Sequence, residues 1–402
     1  MQSLIGFLGI LAILGIGMAL STNRKSIRWR VILWGLGMQF ALALFILKTS
    51  PGKALFQWLG SGVTRLLDFS KVGSEFVFGK LVSDVPSFGF IFAFQVLPTI
   101  VFMASIISVL YYLGIVQKVV SMLAWLMTKT MGTSGAESLS SAACVFVGQV
   151  EGPLLVRPYI PDMTKSELMA LMTGGMATIA GGVMAAYLGM LGAEWAPQLL
   201  AASLMGAPGG LVMAKLLVPE TEEPKTLGGV TMHVEKTESS VIEAAAKGAG
   251  DGMNLAFNVG AMLLAFISLV ALINAGLGLL HTSMEQILGY LFFPLAFLIG
   301  VPFNEAMTVG NLIGQKLVLN EFVAFSQLSG MIQGQQLSEK AILVATFALC
   351  GFANFSSIAQ NVGGIGAMAP SRRGDLAKLG LRAMLGGALA SCLSASIAGI
   401  LM

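Results

Sequence analysis

Apolar residues in this chain come in long blocks separated by short polar clusters, not in the two-residue or heptad alternation of a soluble fold. A helix crosses a hydrocarbon core in roughly 20 residues, so the blocks predict about eight spans, near 3–20, 31–47, 89–113, 167–191, 197–218, 256–280, 341–366 and 377–401. Two further apolar stretches, 137–160 and 305–330, carry polar and helix-breaking residues at mid-length. Each predicts a re-entrant hairpin, because irregular backbone at membrane depth is tolerated only where it is buried in protein or lines a cavity.

The first hairpin holds Val147-Gly148-Gln149-Val150-Glu151-Gly152-Pro153, a glutamine and a glutamate between glycines inside an apolar run. An ionisable residue there costs a few kcal/mol or more, about enough to demand a cavity, a partner or a substrate path. The second hairpin carries Asn320-Glu321-Phe322 at its tip.

The parts recur in one order. In the first half an amphipathic stretch (Val119 to Met127) precedes Glu137 and the hairpin, and the next span is interrupted at Ala177-Thr178-Ile179-Ala180-Gly181-Gly182. In the second half Ile287 to Leu298 precedes Glu305, and the following span is interrupted at Gly351-Phe352-Ala353-Asn354-Phe355-Ser356-Ser357. This is the pattern of an inverted repeat, which builds a midplane site from discontinuous helices in secondary transporters. The expected fold is an all-α polytopic membrane protein of about eight transmembrane helices plus two re-entrant helical hairpins.

Basic residues set the orientation. Arg24, Lys25, Arg28 and Arg30 place the first loop in the cytoplasm, which puts the N-terminus and, after eight spans, the C-terminus outside. The segment from Ser50 to Ser87 predicts an interfacial amphipathic helix plus loop on the outer side. Pro219 to Ser240 reads as a solvated cytoplasmic linker between the halves, and the run from Leu4 to Leu20, with no basic region before it, as a membrane helix and not a cleavable signal.

Composition agrees: 56% of the 402 residues are hydrophobic and 11% charged, far from a soluble domain, and the net charge of +3 gives no reason to expect a nucleic-acid partner. The 49 glycines and 24 methionines suit closely packed membrane helices. Cys144, Cys350 and Cys392 are widely separated, so they suggest neither a disulfide framework nor a metal cluster. His233 and His281 have no metal-ligand spacing and lie outside the spans, which excludes a zinc protease or a His-dependent hydrolase.

The polar residues near mid-membrane are Gln149, Glu151, Thr178, Asn320, Glu321, Asn354, Ser356 and Ser357, flanked by Phe322, Phe352 and Phe355. Carboxylates accept from vicinal hydroxyls, amides read a heterocycle edge and aromatic side chains pack on a ring face, so the set suits a neutral, flat, hydroxylated solute. Structural roles stand beside these: Glu151 and Glu321 pairing with Lys316, Arg157 or one another, Asn354, Ser356 and Ser357 satisfying a helix break, and Glu137 and Glu305 capping their hairpins.

At these residues the chain resembles the concentrative nucleoside transporter family. The matching motifs are Gly148-Gln149-Val150-Glu151 with Pro153-Leu154-Leu155-Val156-Arg157-Pro158-Tyr159, Gly314-Gln315-Lys316-Leu317-Val318-Leu319-Asn320-Glu321-Phe322-Val323-Ala324-Phe325, and Ala348-Leu349-Cys350-Gly351-Phe352-Ala353-Asn354-Phe355-Ser356-Ser357-Ile358. The resemblance implies a nucleoside symporter of the bacterial cytoplasmic membrane, a homotrimer contacting lipid, working by elevator-type alternating access. It implies a scaffold of residues 1–113 and 246–282, a transport domain of 114–218 and 283–402, and a linker at 219–245. It places Gln149 and Glu151, with Val150 beside them, against the base, assigns Glu321, Asn354 and Ser357 to the ribose, and lines the pocket with Phe352. It implies a sodium site of Cys144, Thr178 and the carbonyls of Val147 and Ile179.

This chain departs from the sodium-coupled pattern in having Cys144 for an asparagine, Thr178 for a serine and Val150 for a threonine. A thiol is a poor sodium ligand. Sodium coupling through the remaining oxygens and proton coupling through Glu151 or Glu321 both stay open, as do a proton-coupled carrier of a related polar solute and an uncoupled channel.

Overall fold

The computed structural model describes residues 2–228, 230 and 238–402, and all the regular secondary structure among them is helical. His233 and Lys236 of the expected linker lie outside the described residues. The chain opens with α1 (Gln2–Ala19), α2 (Trp29–Lys48) and α3 (Ser50–Phe78), and α4 (Lys80–Ser83), α5 (Val85–Phe88) and α6 (Phe92–Gln95) lead into α7 (Leu97–Tyr112). The first half comprises α8 (Ile115–Met131), α9 (Gly135–Cys144), α10 (Glu151–Leu154), α11 (Lys165–Ala177), α12 (Gly181–Leu191) and α13 (Ala196–Leu217). After α14 (Val241–Gly278) the second half repeats it as α15 (Met284–Leu298), α16 (Ala306–Val318), α17 (Glu321–Gln333), α18 (Glu339–Leu349), α19 (Phe355–Met368) and α20 (Arg373–Leu401).

Local sequence explains where these helices begin. Ser134 and Glu137 form a capping box at α9, and Thr164 and Glu167 form another at α11, satisfying amides that a helix start leaves bare. Ser338, Asn320 and Asn354 cap α18, α17 and α19.

Six helical stretches among the described residues are long and apolar enough to cross a membrane: Trp29–Lys48, Phe92–Tyr112 (α6 and α7), Lys165–Leu191 (α11 and α12, broken between them), Ala193–Leu217, Val241–Gly278 and Pro370–Leu401. The expected span 3–20 is α1, and 341–366 is split into α18 and α19 with Cys350 to Asn354 between them. In the region expected as an amphipathic helix plus loop, Ser50 to Ser87, the helix is the 29-residue α3, and after Gly79 the remainder is the short α4 and the start of α5.

Three boundaries differ from the sequence reading. The second arm of the first hairpin is not one helix: α10 has four residues, Pro158 blocks its continuation by clashing with the carbonyl four residues back, and Pro158 and Pro161 sit in a 3-10 turn, Arg157–Asp162. Helix α14 starts at Val241, inside the expected linker, because Glu243, Lys247 and Asp251 extend the helix beyond its apolar part. The start of that linker is not solvated either, since Glu220 and Thr226 are buried against the base of the first hairpin.

The core is built on α11, α13 and α20, which are buried along nearly their whole lengths. Helix α13 packs against α11, α20 and α2, and α1 packs against α20. Buried Gln39 of α2 donates to the Met205 carbonyl at 2.9 Å and to Ser394 Oγ at 3.4 Å, tying α2 to α13 and α20. Helices α7 and α14 form a separate tight pair in which Gly248 and Gly252 let the backbones approach. Phe257, Leu264 and Leu272 stay exposed on α14, as a lipid-facing surface requires.

Candidate functional site

The two hairpin tips and the two helix breaks meet in the middle of the molecule. Gly351, at φ 130°, lets the second break cross the first: a Cβ there would stand 2.7 Å from the Met176 carbonyl oxygen. Gly175 of α11 admits the tip of the first hairpin, its absent Cβ lying 2.8 Å from Gln149 Cβ. The Gly181 amide donates to the Phe146 carbonyl at 3.0 Å, joining that tip to the first break.

A chain of polar side chains, buried except for half-buried Ser356 and exposed Gln360, runs through this crossing. Glu321, at the N-terminus of α17, accepts from Tyr187 Oη at 3.1 Å and from Asn354 Nδ2 at 2.8 Å. Asn354 Oδ1 accepts the Ser357 amide at 2.9 Å, capping α19, and the Ser356 hydroxyl at 2.7 Å. Gln149 Nε2 then donates to Ser357 Oγ at 3.1 Å and to Gln360 Oε1 at 2.7 Å, while Asn361 Nδ2 donates to Gln149 Oε1 at 3.0 Å. The capping and site roles of Asn354 are thus filled by different atoms of one side chain.

Glu321, Asn354, Ser357 and Gln149 are all buried, and Phe352 is 8% exposed in the second break beside them. Glu151 stands at the exposed tip, its Oε2 folded towards Gly148, whose φ of 116° has no side chain in the way. Val150 is half-buried and packs its methyls onto Gly364 of α19. Phe322 packs edge-on to Tyr187 with ring centroids 5.0 Å apart, and Phe355 is 53% exposed. The alternative pairing of Lys316 with a carboxylate is not what forms: its ammonium bonds the Ala348 carbonyl at 2.9 Å and Ser391 Oγ at 3.1 Å.

The residues expected to hold sodium come together less completely. Cys144 is fully buried, and its Sγ is 2.4 Å from where a Cβ on Gly152 would stand, so the thiol fills the inside of the hairpin. The Thr178 hydroxyl donates to the Gly174 carbonyl at 3.0 Å, and the Ile179 carbonyl accepts from Ser203 Oγ at 3.2 Å. Val147 follows Phe146, whose carbonyl accepts the Gly181 amide from the first break, and its own amide is bonded to the Ala143 carbonyl. Oxygens of Thr178 and Ile179 retain lone pairs, so the donor set suits a hard monovalent cation with Cys144 as its weak member.

Glu137 and Glu305 act as anchors. Glu137 takes the Ser134 amide and pairs with buried Lys215 at 2.6 Å, and Lys215 also reaches Glu220 at 3.2 Å. Glu305 accepts from the Ser338 amide at 2.8 Å and its hydroxyl at 2.7 Å. Tyr187, Gln360 and Asn361 join the hydrogen-bonded group of candidate residues and were not singled out by the sequence reading. Tyr187 sits in an apolar span with no polar neighbour to mark it, whereas Asn361 shares a helix face with Ser357 at a spacing that could have marked it.

An all-helical membrane fold with two re-entrant hairpins facing two broken helices around a buried polar centre defines a secondary transporter and not an enzyme. The chain belongs to the concentrative nucleoside transporter family. Residues 8–81 and 198–399 match the N-terminal and C-terminal models of the "Na+ dependent nucleoside transporter", and 93–194 match the "Nucleoside recognition" gate model. It is 47% identical over 410 residues to the "uncharacterized transporter YutK" of Bacillus subtilis, covering 100% of both chains. It is 44% identical over 423 residues to mouse "sodium/nucleoside cotransporter 1", covering 100% of this chain and 64% of that protein. Its fold is similar to CNTnw in an inward-facing substrate-bound state, with a TM-score of 0.94, 44% identity and coverage of 100% and 98%. A doubly substituted CNTnw in an outward-facing state gives a TM-score of 0.95 at 43% identity, covering 100% of this chain and 99% of that one.

Proposed function

We propose that this protein imports nucleosides across the bacterial cytoplasmic membrane by symport with sodium, using alternating access. The carrying observation is the hydrogen-bonded chain from Tyr187 through Glu321, Asn354 and Ser357 to Gln149 and Asn361, which links hairpin 2, the second broken helix and hairpin 1. A ribose offers vicinal hydroxyls to Glu321, whose carboxylate has about four acceptor positions and spends two on Tyr187 and Asn354. Asn354 and Ser357 share that face, Phe352 lines the pocket, and Gln149 with Glu151 at the hairpin tip takes the base, with Val150 beside it. Sodium is assigned to Thr178, the Val147 and Ile179 carbonyls and Cys144.

The packing favours a fixed frame narrower than residues 1–113 and 246–282. Helices α7 and α14 pair with each other, while α1 and α2 pack on α13 and α20, so α1 and α2 travel with the hairpins and broken helices in an elevator movement. The assembly is a homotrimer with both termini outside, a reading supported by the basic first loop and the exposed apolar face of α14. A proton-coupled reading is favoured by one observation, the Cys144 thiol turned into Gly152.

Uptake of radiolabelled uridine and adenosine into proteoliposomes, with an imposed sodium gradient in one set and a proton gradient in the other, tests the proposal. Accumulation driven by sodium is expected. Accumulation driven by protons alone would replace the coupling ion, and none under either gradient would sink the nucleoside reading.

A further inference from the structure

Lys316, on the first arm of hairpin 2, is 1% exposed and pairs with no carboxylate among the described residues. A buried ammonium without a counter-ion is costly, and an apolar side chain of similar length would fill the space as well. The charge therefore needs an occupation of its own. Its Nζ donates to the Ala348 carbonyl at 2.9 Å and to Ser391 Oγ at 3.1 Å, and Ser391 Oγ donates onward to the Cys350 carbonyl at 2.7 Å.

Ala348 and Cys350 are in the last turn and at the C-cap of α18, where the carbonyls have lost their helical partners and the helix dipole presents its negative end. Lys316 and Ser391 supply the missing donors at the place where α18 stops and the second break starts. The first break is completed differently. There Thr178 donates to the Gly174 carbonyl and Ser203 of α13 donates to the Ile179 carbonyl, both neutral groups. Ser203 and Ser391 occupy matching places in the repeat, on the helices that follow each broken pair. Lys316 has no such match, since the arm of hairpin 1 runs out through Cys144, Val145, Phe146 and Val147.

We propose that Lys316 is a tethered cation that pins hairpin 2 to the C-terminal end of α18, and so is the positioning residue that holds Glu321 and Asn354 at bonding distance. Glu321 stands just across the hairpin tip from Lys316, and Asn354 closes the break that Lys316 opens. Without the pin the two ribose-facing groups are aligned by their own 2.8 Å bond and by helix packing, with no charged contact to fix the spacing of their elements. The inference rests on the nucleoside reading of the site.

The test is equilibrium uridine binding to purified protein in detergent, where an added amine disturbs no ion gradient, alongside uptake by the wild type as the check on the nucleoside reading. Lys316→Met keeps the length of the side chain and removes its charge; its Kd is expected to rise about tenfold or more, the scale of losing charged hydrogen bonds. Lys316→Ala opens room for a small cation, and methylammonium is expected to restore its binding saturably where methanol does not. Wild-type affinity in Lys316→Met, or a Lys316→Ala protein indifferent to methylammonium, would overturn the proposal. If neither variant folds, Ser391→Ala decides: a raised Kd with unchanged thermal stability supports the pin, and an unchanged Kd rejects it. A wild type that takes up no nucleoside in vesicles would strike the functional reading instead.

Discussion

Glu321 and Tyr187 show how much one hydroxyl can decide. The carboxylate is buried with neutral donors only, and Tyr187 is held under it by rings, stacked on Phe325 at 4.4 Å and edge-on to Phe322. Tyr187→Phe keeps those rings and deletes the donor, so the Kd for uridine is expected to rise about tenfold, the scale of a hydrogen bond to a charged group, with little change in thermal stability. Glu321→Gln is expected to abolish uptake while the protein still folds and inserts, because an amide replaces one of the acceptors that a diol needs; normal transport would remove Glu321 from the ribose. At Cys144 an oxygen in place of sulfur strengthens a hard-cation site without added bulk. Cys144→Ser is therefore expected to lower the sodium concentration for half-maximal uptake, and uptake that stays indifferent to sodium would favour the proton reading. Gln149, Glu151, Glu321 and Asn354 were legible in the sequence because charge and amide groups are expensive in apolar runs. Tyr187 was not, since an aromatic residue among Ala, Leu and Met reads as packing until its partner across the fold is known.

At the scale of elements, the hairpins and breaks were visible because Gly, Pro and polar residues interrupt spans that are otherwise uniform. What sequence could not supply was the end of an element whose limits are set by a distant partner. A search for membrane-length apolar blocks stops where α14 leaves the hydrocarbon, although the helix continues to Val241, and it reads Glu220 as solvated because Lys215 is not adjacent to it in a linear pattern. The crossing of the two breaks gives a direct test of the arrangement. Gly351 needs both its positive φ and its missing Cβ, with the Met176 carbonyl 2.7 Å from where that atom would be. Gly351→Ala is expected to cost about 1–3 kcal/mol from backbone strain, before any clash is counted. The checks are a lower melting temperature in detergent and a loss of uridine binding, and a variant that keeps both would mean the breaks do not need to cross so closely.

For the whole molecule the question is which surfaces move past each other. Helix α12 meets α7 through glycines: a Cβ on Gly182 would be 3.8 Å from the Ala104 amide nitrogen and one on Gly189 would be 3.8 Å from Val96 Cβ. Those are ordinary or loose contacts, whereas a Cβ on Gly248 or Gly252 of α14 would stand 2.6 Å or 2.7 Å from atoms of α7, so at these positions α7 is held more closely by α14 than by α12. The inner helices are bound together quite differently, by the Gln39 bonds to α13 and α20 and by the buried Lys215 pairs at the base of hairpin 1. Under the proposed division, the α7 to α12 contact is the seam of the elevator, with the polar centre on the α12 side of it through Tyr187. A separation of 3.8 Å between Cβ atoms is that of a disulfide. Val96→Cys combined with Gly189→Cys is expected to transport when reduced, to stop when oxidised, and to recover with reductant, the native cysteines being buried. Full transport by the cross-linked protein would place the moving boundary elsewhere.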